Sequence, residues 1–189
     1  MIGKIFITRT GYDPELGKYV KDPYLGDNPS LGACRPDIRR RVEPGDYIFA
    51  ISGKIAEAPQ YVMGGFEVAE KVHTSLAYRM FPEQRLRLRD DGQLAGNVIV
   101  DSRGHRHRLD NHRGFERRLP DYVVGKRPVE LVTPGEIARG RAETLAVLSD
   151  VLKKDGSKPA DIITRFGCSL DEDQVLRLYA WLQSLKESA

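Results

Sequence analysis

The chain has 189 residues, with 30 Lys and Arg against 27 Asp and Glu, and 40% of its residues are apolar. That length suits one domain of ordinary size with a core of its own plus a small appendage; two full domains would be cramped. A net charge of +3 excludes a chromatin-type protein coated in positive charge, so any affinity for nucleic acid must come from where the basic residues sit.

The opening stretch, MIGKIFITRTGYD, has no long apolar run followed by small residues, and no window nears the roughly 18 apolar residues of a membrane span. The two cysteines, Cys34 and Cys168, match no zinc or redox spacing. Reduced thiols in a cytoplasmic protein are therefore expected.

Residues 4–8, 47–52, 61–72, 96–100 and 122–131 are short runs rich in Ile, Val, Phe and Tyr, separated by Gly, Pro, Asp and Asn, and they predict strands. With little helical pattern between them, they favour a mixed or antiparallel sheet that closes into a small barrel, not a parallel Rossmann sheet. The stretch 11–31, GYDPELGKYVKDPYLGDNPSL, reads as a long ordered loop. Its large rings, Tyr12, Tyr19 and Tyr24, either anchor that loop or form a stacking platform for a base.

Next comes RPDIRRRVEPGDYIFAISG at 35–53: four arginines, a turn at Pro44-Gly45 and a strand. Asp46 is placed to hydrogen-bond the turn's backbone, with Gly45 as the turn residue. In a helical turn Arg35 and Arg39 share one face while Arg40 and Arg41 splay away. Their planar forks of donors suit phosphate; the alternative is a solvated charge run paired to Asp37 and Glu43. Cys34, beside Arg35, is either a thiol with a lowered pKa or a small buried apolar group.

Residues 89–92, Arg-Asp-Asp-Gly, read as a hairpin turn. The stretch 101–118, DSRGHRHRLDNHRGFERR, carries six arginines and three of the four histidines. A metal held by His105, His107 and His112 with Asp110 is one alternative, opposed by the neighbouring arginines; a basic loop without metal is preferred. His112, beside Asp110 and Asn111 in a turn, is the candidate acid/base.

From Thr133 the pattern becomes helical. Thr133 and Glu136 form a capping box ahead of a helix of about twenty residues, which Gly140 weakens. Residues 158–166 predict a short helix. Ser169 and Glu172 read as a second capping box before the stripe Val175, Leu178, Tyr179, Leu182 and Leu185. A helix-turn-helix reading of this end puts Asp171, Glu172 and Asp173 against phosphate, so a packing role is preferred. There is no Walker loop, GxGxxG, GxSxG elbow or HExxH, and no cofactor is expected.

Taken together, LGACRPDIRR at 31–40, PGDYIFAISG at 44–53, YVMGGFEV at 61–68, GNVI at 96–99, the His-bearing stretch and DYVVG at 121–125 resemble the second type of nucleotide-modification-associated domain. That family is named for phage and bacterial settings in which DNA bases are modified. The plan is also similar to the PUA, ASCH, EVE and YTH barrels, which hold nucleic acid by a base turned into a pocket. The resemblance covers 1–132 and marks Cys34, Arg35, Arg39, Asp46, Asn97 and His112; where a Gly-Asp-Asn run is expected the chain has Gly96-Asn97 with Ala95 ahead, so the acid of that run is missing.

The resulting expectation is an α+β, PUA-like barrel over 1–132 with a helical extension over 133–189. Its function is to bind DNA or RNA and recognise a modified base, with Arg35, Arg39 and Arg40 on phosphate and Ser52, Asn97 and Tyr12 at the base. The rivals are an enzyme acting on a nucleotide through His112 and Cys34, and an interaction module that docks a partner enzyme or a second copy through the C-terminal helices.

Overall fold

The computed structural model describes residues 1–56, 58–164 and 166–187. It is a mixed α+β fold: a curled six-stranded half-barrel with C-terminal helices packed against it. In chain order its elements are β1 (Gly3–Ile7), β2 (Ser30–Leu31), α1 (Pro36–Arg39), β3 (Tyr47–Ile51), β4 (Val62–Val72), α2 (Thr74–Met80), β5 (Arg87–Leu88), β6 (Leu94–Ala95), β7 (Tyr122–Glu130), α3 (Pro134–Leu152), α4 (Pro159–Ile162), β8 (Cys168–Leu170) and α5 (Glu172–Glu187).

The main sheet runs β2-β7-β4-β3-β1-β8, and its neighbours are antiparallel except for the parallel pair β1 and β3. The ladder shifts register at Ala50/Ile51, Gly65/Glu67 and Val68/Glu70, and such bulges add twist and bend to a long strand such as β4. The sheet therefore curls. It ends at β2 and β8 and does not close, so the expected barrel is a half-barrel. β5 and β6 form a separate hairpin, turned at Gly92 with φ 76°.

The helices seal the curl. Thr133 Oγ1 accepts from Glu136 N while the Glu136 carboxylate accepts from Thr133 N, the reciprocal capping box read from sequence. Gly140 does not weaken α3 idly: a Cβ there would lie 2.7 Å from Leu131 Cδ1, so its absence lets the helix approach the sheet. Val175, Leu178, Leu182 and Leu185 are fully buried in one cluster with Ile5, Phe49 and Phe66. Four of the five residues of the α5 stripe are thus packed inside the chain, with Tyr179 partly buried beside them.

Four expectations are corrected here. Residues 96–100 form no strand; Val98, Ile99 and Val100 are buried in loop structure held by isolated bridges to Arg85 and Arg106. The second capping box is Asp171 with Gln174 (2.9 and 3.0 Å), whereas Ser169 lies in β8 and accepts from Lys4 Nζ. Segment 133–189 supplies the edge strand β8 as well as helices. The short helix expected over 158–166 is Pro159–Ile162, and Arg165 lies outside the described residues. Among the described residues no helix is long and apolar enough to cross a membrane.

Candidate nucleic-acid interface

The loop of residues 11–31 contributes Tyr19, Val20 and Lys21 to the lining of two cavities, which share Leu94 as well. The first, of about 260 Å³, is a cleft lined by aromatic rings. Tyr12 and Tyr19 meet edge to face with centroids 6.4 Å apart, and Tyr24 stands on the same wall. Arg89 lies over the Tyr19 ring at 4.0 Å, and Arg87 and Lys21 complete a cationic rim. Tyr19 is 38% exposed and Tyr24 36%, a degree of exposure that core aromatics do not show.

Two acids line this cleft, Glu83 ahead of β5 and Glu130 at the end of β7. Glu130 accepts from the Tyr12 hydroxyl at 3.1 Å. Burial pushes its carboxyl above the usual glutamate range, opposed by the Tyr12 bond and the nearby Lys186 ammonium. The Tyr12 hydroxyl is raised in turn by burial and by that carboxylate. The pair offers donors and acceptors to the edge of a planar ring, between stacking faces.

The second cavity is a trough of about 830 Å³ with a different chemistry. Arg9, Lys21, Arg113 and Arg118 line it, with Thr8, Thr10, Cys34 and His112. His112 Nδ1 lies 2.5 Å from Asp110 Oδ1, and the other Asp110 oxygen accepts from Arg106 Nε at 2.9 Å. Asp110 is buried, so the carboxylate orients the ring from behind, as in other carboxylate–imidazole pairs. Arg106 also donates to the His112 carbonyl at 2.7 Å, which pins the backbone of the turn.

Beneath both cavities lies a buried polar knot. Asp22 accepts from the backbone N–H groups of Gly32 (2.8 Å), Ala33 (3.0 Å) and Cys34. Asn97 donates to Asp22 and to Ser30, each at 2.9 Å, and accepts from the Tyr122 hydroxyl at 2.7 Å. This knot ties the loop, the segment after β2 and the start of β7 into one floor.

Several residues expected at a ligand turn out to hold this floor instead. Arg39 is 1% exposed and donates to the carbonyls of Cys34 (3.0 Å), Arg118 (3.0 Å) and Asp121 (2.8 Å), so no phosphate reaches it. Asn97 is wholly buried and its amide is fully used, so it reads no base. Ser52 is buried too, where Oγ accepts from Tyr12 N at 2.9 Å and thereby positions the tyrosine it was expected to work beside. Arg35 forks onto Asp37 (3.0 and 2.7 Å), donates to the Phe166 carbonyl and lies over Phe6, away from both cavities. Arg40 is exposed but lines neither cavity.

Cys34 faces the trough, yet burial and the Asp22 carboxylate push its thiol up to about 12. It is the reverse of an activated nucleophile. At the turn, Gly45 takes φ 93°, and Asp46 accepts from Glu43 N and Ile2 N at 2.9 Å each, fastening the start of the chain to β3. Among the described residues no three His, Cys, Asp or Glu side chains converge as metal ligands.

Sequence reasoning singled out Tyr12, Tyr19, Tyr24 and His112, all of which line the two cavities. It missed Arg9, Lys21, Arg89, Asp22 and Glu130. Only Arg113 and Arg118 carried a signal, as members of the basic stretch 101–118. No protein-family model, curated protein or solved structure matches the chain.

Proposed function

We propose that the protein is a PUA-like nucleic-acid-binding domain that takes a base, and by preference a modified one, into the tyrosine cleft while the adjoining backbone follows the basic trough. The observation that carries this reading is the juxtaposition of the two cavities. A ring-lined cleft of about 260 Å³ opens beside a trough bearing Arg9, Lys21, Arg113 and Arg118. Stacking on aromatic faces holds any base, whereas the cations supply affinity through phosphate. Specificity would come from the edge, where Tyr12 and Glu130 present a hydroxyl and a carboxyl. The family resemblance adds the setting: a reader of base modification in DNA modification or defence.

The test is fluorescence anisotropy with matched DNA and RNA oligonucleotides, with and without modified bases, from about 50 to 200 mM salt. The reading expects binding that weakens steeply with salt and favours one modification. Absence of binding to every oligonucleotide at about 50 mM salt, where phosphate contacts are strongest, would overturn it.

A further inference from the structure

We propose that the trough is also a ribonucleolytic site, in which His112 is the general base and the substrate supplies its own nucleophile. The inference rests on the nucleic-acid reading above and assigns a reaction to its second cavity.

Three features lead there. First, His112 is held as a base rather than as a packing residue. With Nδ1 turned to the buried Asp110 carboxylate, Nε2 is the ring nitrogen left for a substrate, and it makes no hydrogen bond among the described residues. Second, that ring shares its cavity with Arg113 and Arg118, whose guanidinium groups suit the non-bridging oxygens of a phosphodiester. Arg118 spends Nη1 on the Ala33 carbonyl and Nε on the Arg113 carbonyl, which fixes its stem at the cavity wall.

Third, the trough contains a base and cations but no activated nucleophile of its own. The Cys34 thiol is pushed up to about 12. Thr8 Oγ1 shares its one proton between the carbonyls of Thr10 (2.7 Å) and Ile51 (3.1 Å) and accepts from Gly53 N (2.9 Å). Among the described residues, neither Thr8 nor Thr10 is hydrogen-bonded to the imidazole. A site so equipped fits a substrate that carries its nucleophile next to the phosphorus, and RNA does so through its 2′-hydroxyl.

In the step, the 2′-oxygen forms a bond to phosphorus as its proton passes to Nε2. The bond from phosphorus to the 5′-oxygen breaks, and its electron pair leaves with that oxygen, which takes a proton from the imidazolium or from water. The products are a 2′,3′-cyclic phosphate and a free 5′-hydroxyl, with no further reactant required. DNA, lacking the hydroxyl, is bound and left intact.

The experiment incubates the full-length protein with a single-stranded RNA of mixed sequence, the same sequence as DNA, and the RNA with 2′-deoxy sugars throughout one half. Cleavage is followed on denaturing gels and by mass spectrometry of the ends, and wild-type binding is measured on the uncleavable strands. The expected result is cleavage confined to ribose positions, ending in cyclic phosphate, and reduced about 100-fold or more by His112→Asn prepared identically. His112→Gln and the deoxy block provide readouts that survive should one variant misfold. Binding without cleavage of any RNA overturns the inference and leaves the nucleic-acid reading standing. Equal cleavage by wild type and both variants, or cleavage at deoxy positions, overturns it as well. Failure to bind any strand removes the nucleic-acid reading and the inference with it.

Discussion

Arg39 separates two explanations of the arginine-rich segment, and the structure makes its substitution informative. Arg39→Ala removes a buried guanidinium that donates to the carbonyls of Cys34, Arg118 and Asp121. Hydrogen bonds from a charged donor contribute about 1.5–3 kcal/mol each in mutational series, but they do not add, and water entering the vacated space will satisfy part of what is lost. Burial also holds the Arg39 pKa below its usual value, so the side chain already bears a desolvation cost that alanine relieves. Three carbonyls lose that donor at about 1–3 kcal/mol each before water enters, so a net loss of about 3–5 kcal/mol is expected. In a chain of this length that corresponds to a fall in Tm of roughly 6–20 °C. Thermal melting followed by near-UV circular dichroism measures it, alongside the salt dependence of oligonucleotide binding. A surface phosphate ligand would behave in the opposite way, leaving Tm unchanged and lowering the log–log salt slope by about 0.7–0.9. A variant that melts within about 2 °C of wild type, a shift below 1 kcal/mol, and loses one unit of salt slope would refute the structural role.

Tyr19→Ala is expected to weaken binding of a single-stranded oligonucleotide by about 1–3 kcal/mol, the range for loss of one stacked base, with Tm little changed because the ring is exposed; unchanged affinity removes Tyr19 from the interface. Cys34, with its thiol held near 12, should resist iodoacetamide at pH 8 in the folded protein and react once unfolded, as peptide mass mapping would report. Rapid native labelling at Cys34 would show the thiol to be activated. Two acids should give opposite pH signatures. Asp13, although buried, is held below the usual aspartate value by Arg141, so its stabilisation is present above that value and lost as the pH falls through the lowered one. Asp13→Asn should therefore cost stability at pH 7 and progressively less in acid. Glu130 is raised, so its charge opposes folding once the pH climbs past 4.5, and Glu130→Gln should help stability at pH 7 more than at pH 4. Parallel pH profiles for the two variants in urea melts would contradict these assignments.

Much of the scaffold is readable because it depends on near-neighbour chemistry. Thr133 and Glu136 lie three residues apart, and the capping box needs nothing else. The apolar runs that become β1, β3, β4 and β7 are buried over most of their length, β3 throughout, which is what a run of Ile, Val and Phe signals. The run 96–100 has the same composition but no neighbour to pair with along its length. Asn97, spent on Asp22 and Ser30, interrupts it before a ladder can form. Closure was equally invisible, because whether β2 and β8 meet depends on strand number and stagger rather than on residue type.

The site was harder to read, for a reason visible in the arginines. A guanidinium before a buried strand has the same sequence signature whether it faces a phosphate or caps three carbonyls, since both are planar arrays of oxygen acceptors. What decides between them is the distant partner: Arg118 and Asp121 lie 79 and 82 residues from Arg39. The same logic runs in reverse for Arg9, Lys21 and Arg89, which sit singly in unremarkable stretches and gather only when the chain folds. The tyrosines and His112 were legible because large rings in a polar loop, or an imidazole two residues from an aspartate, already pose a local question of where they go. Of the clustered arginines before β3, Arg39 therefore builds the floor, and the scattered cations make the surface that a polyanion would meet.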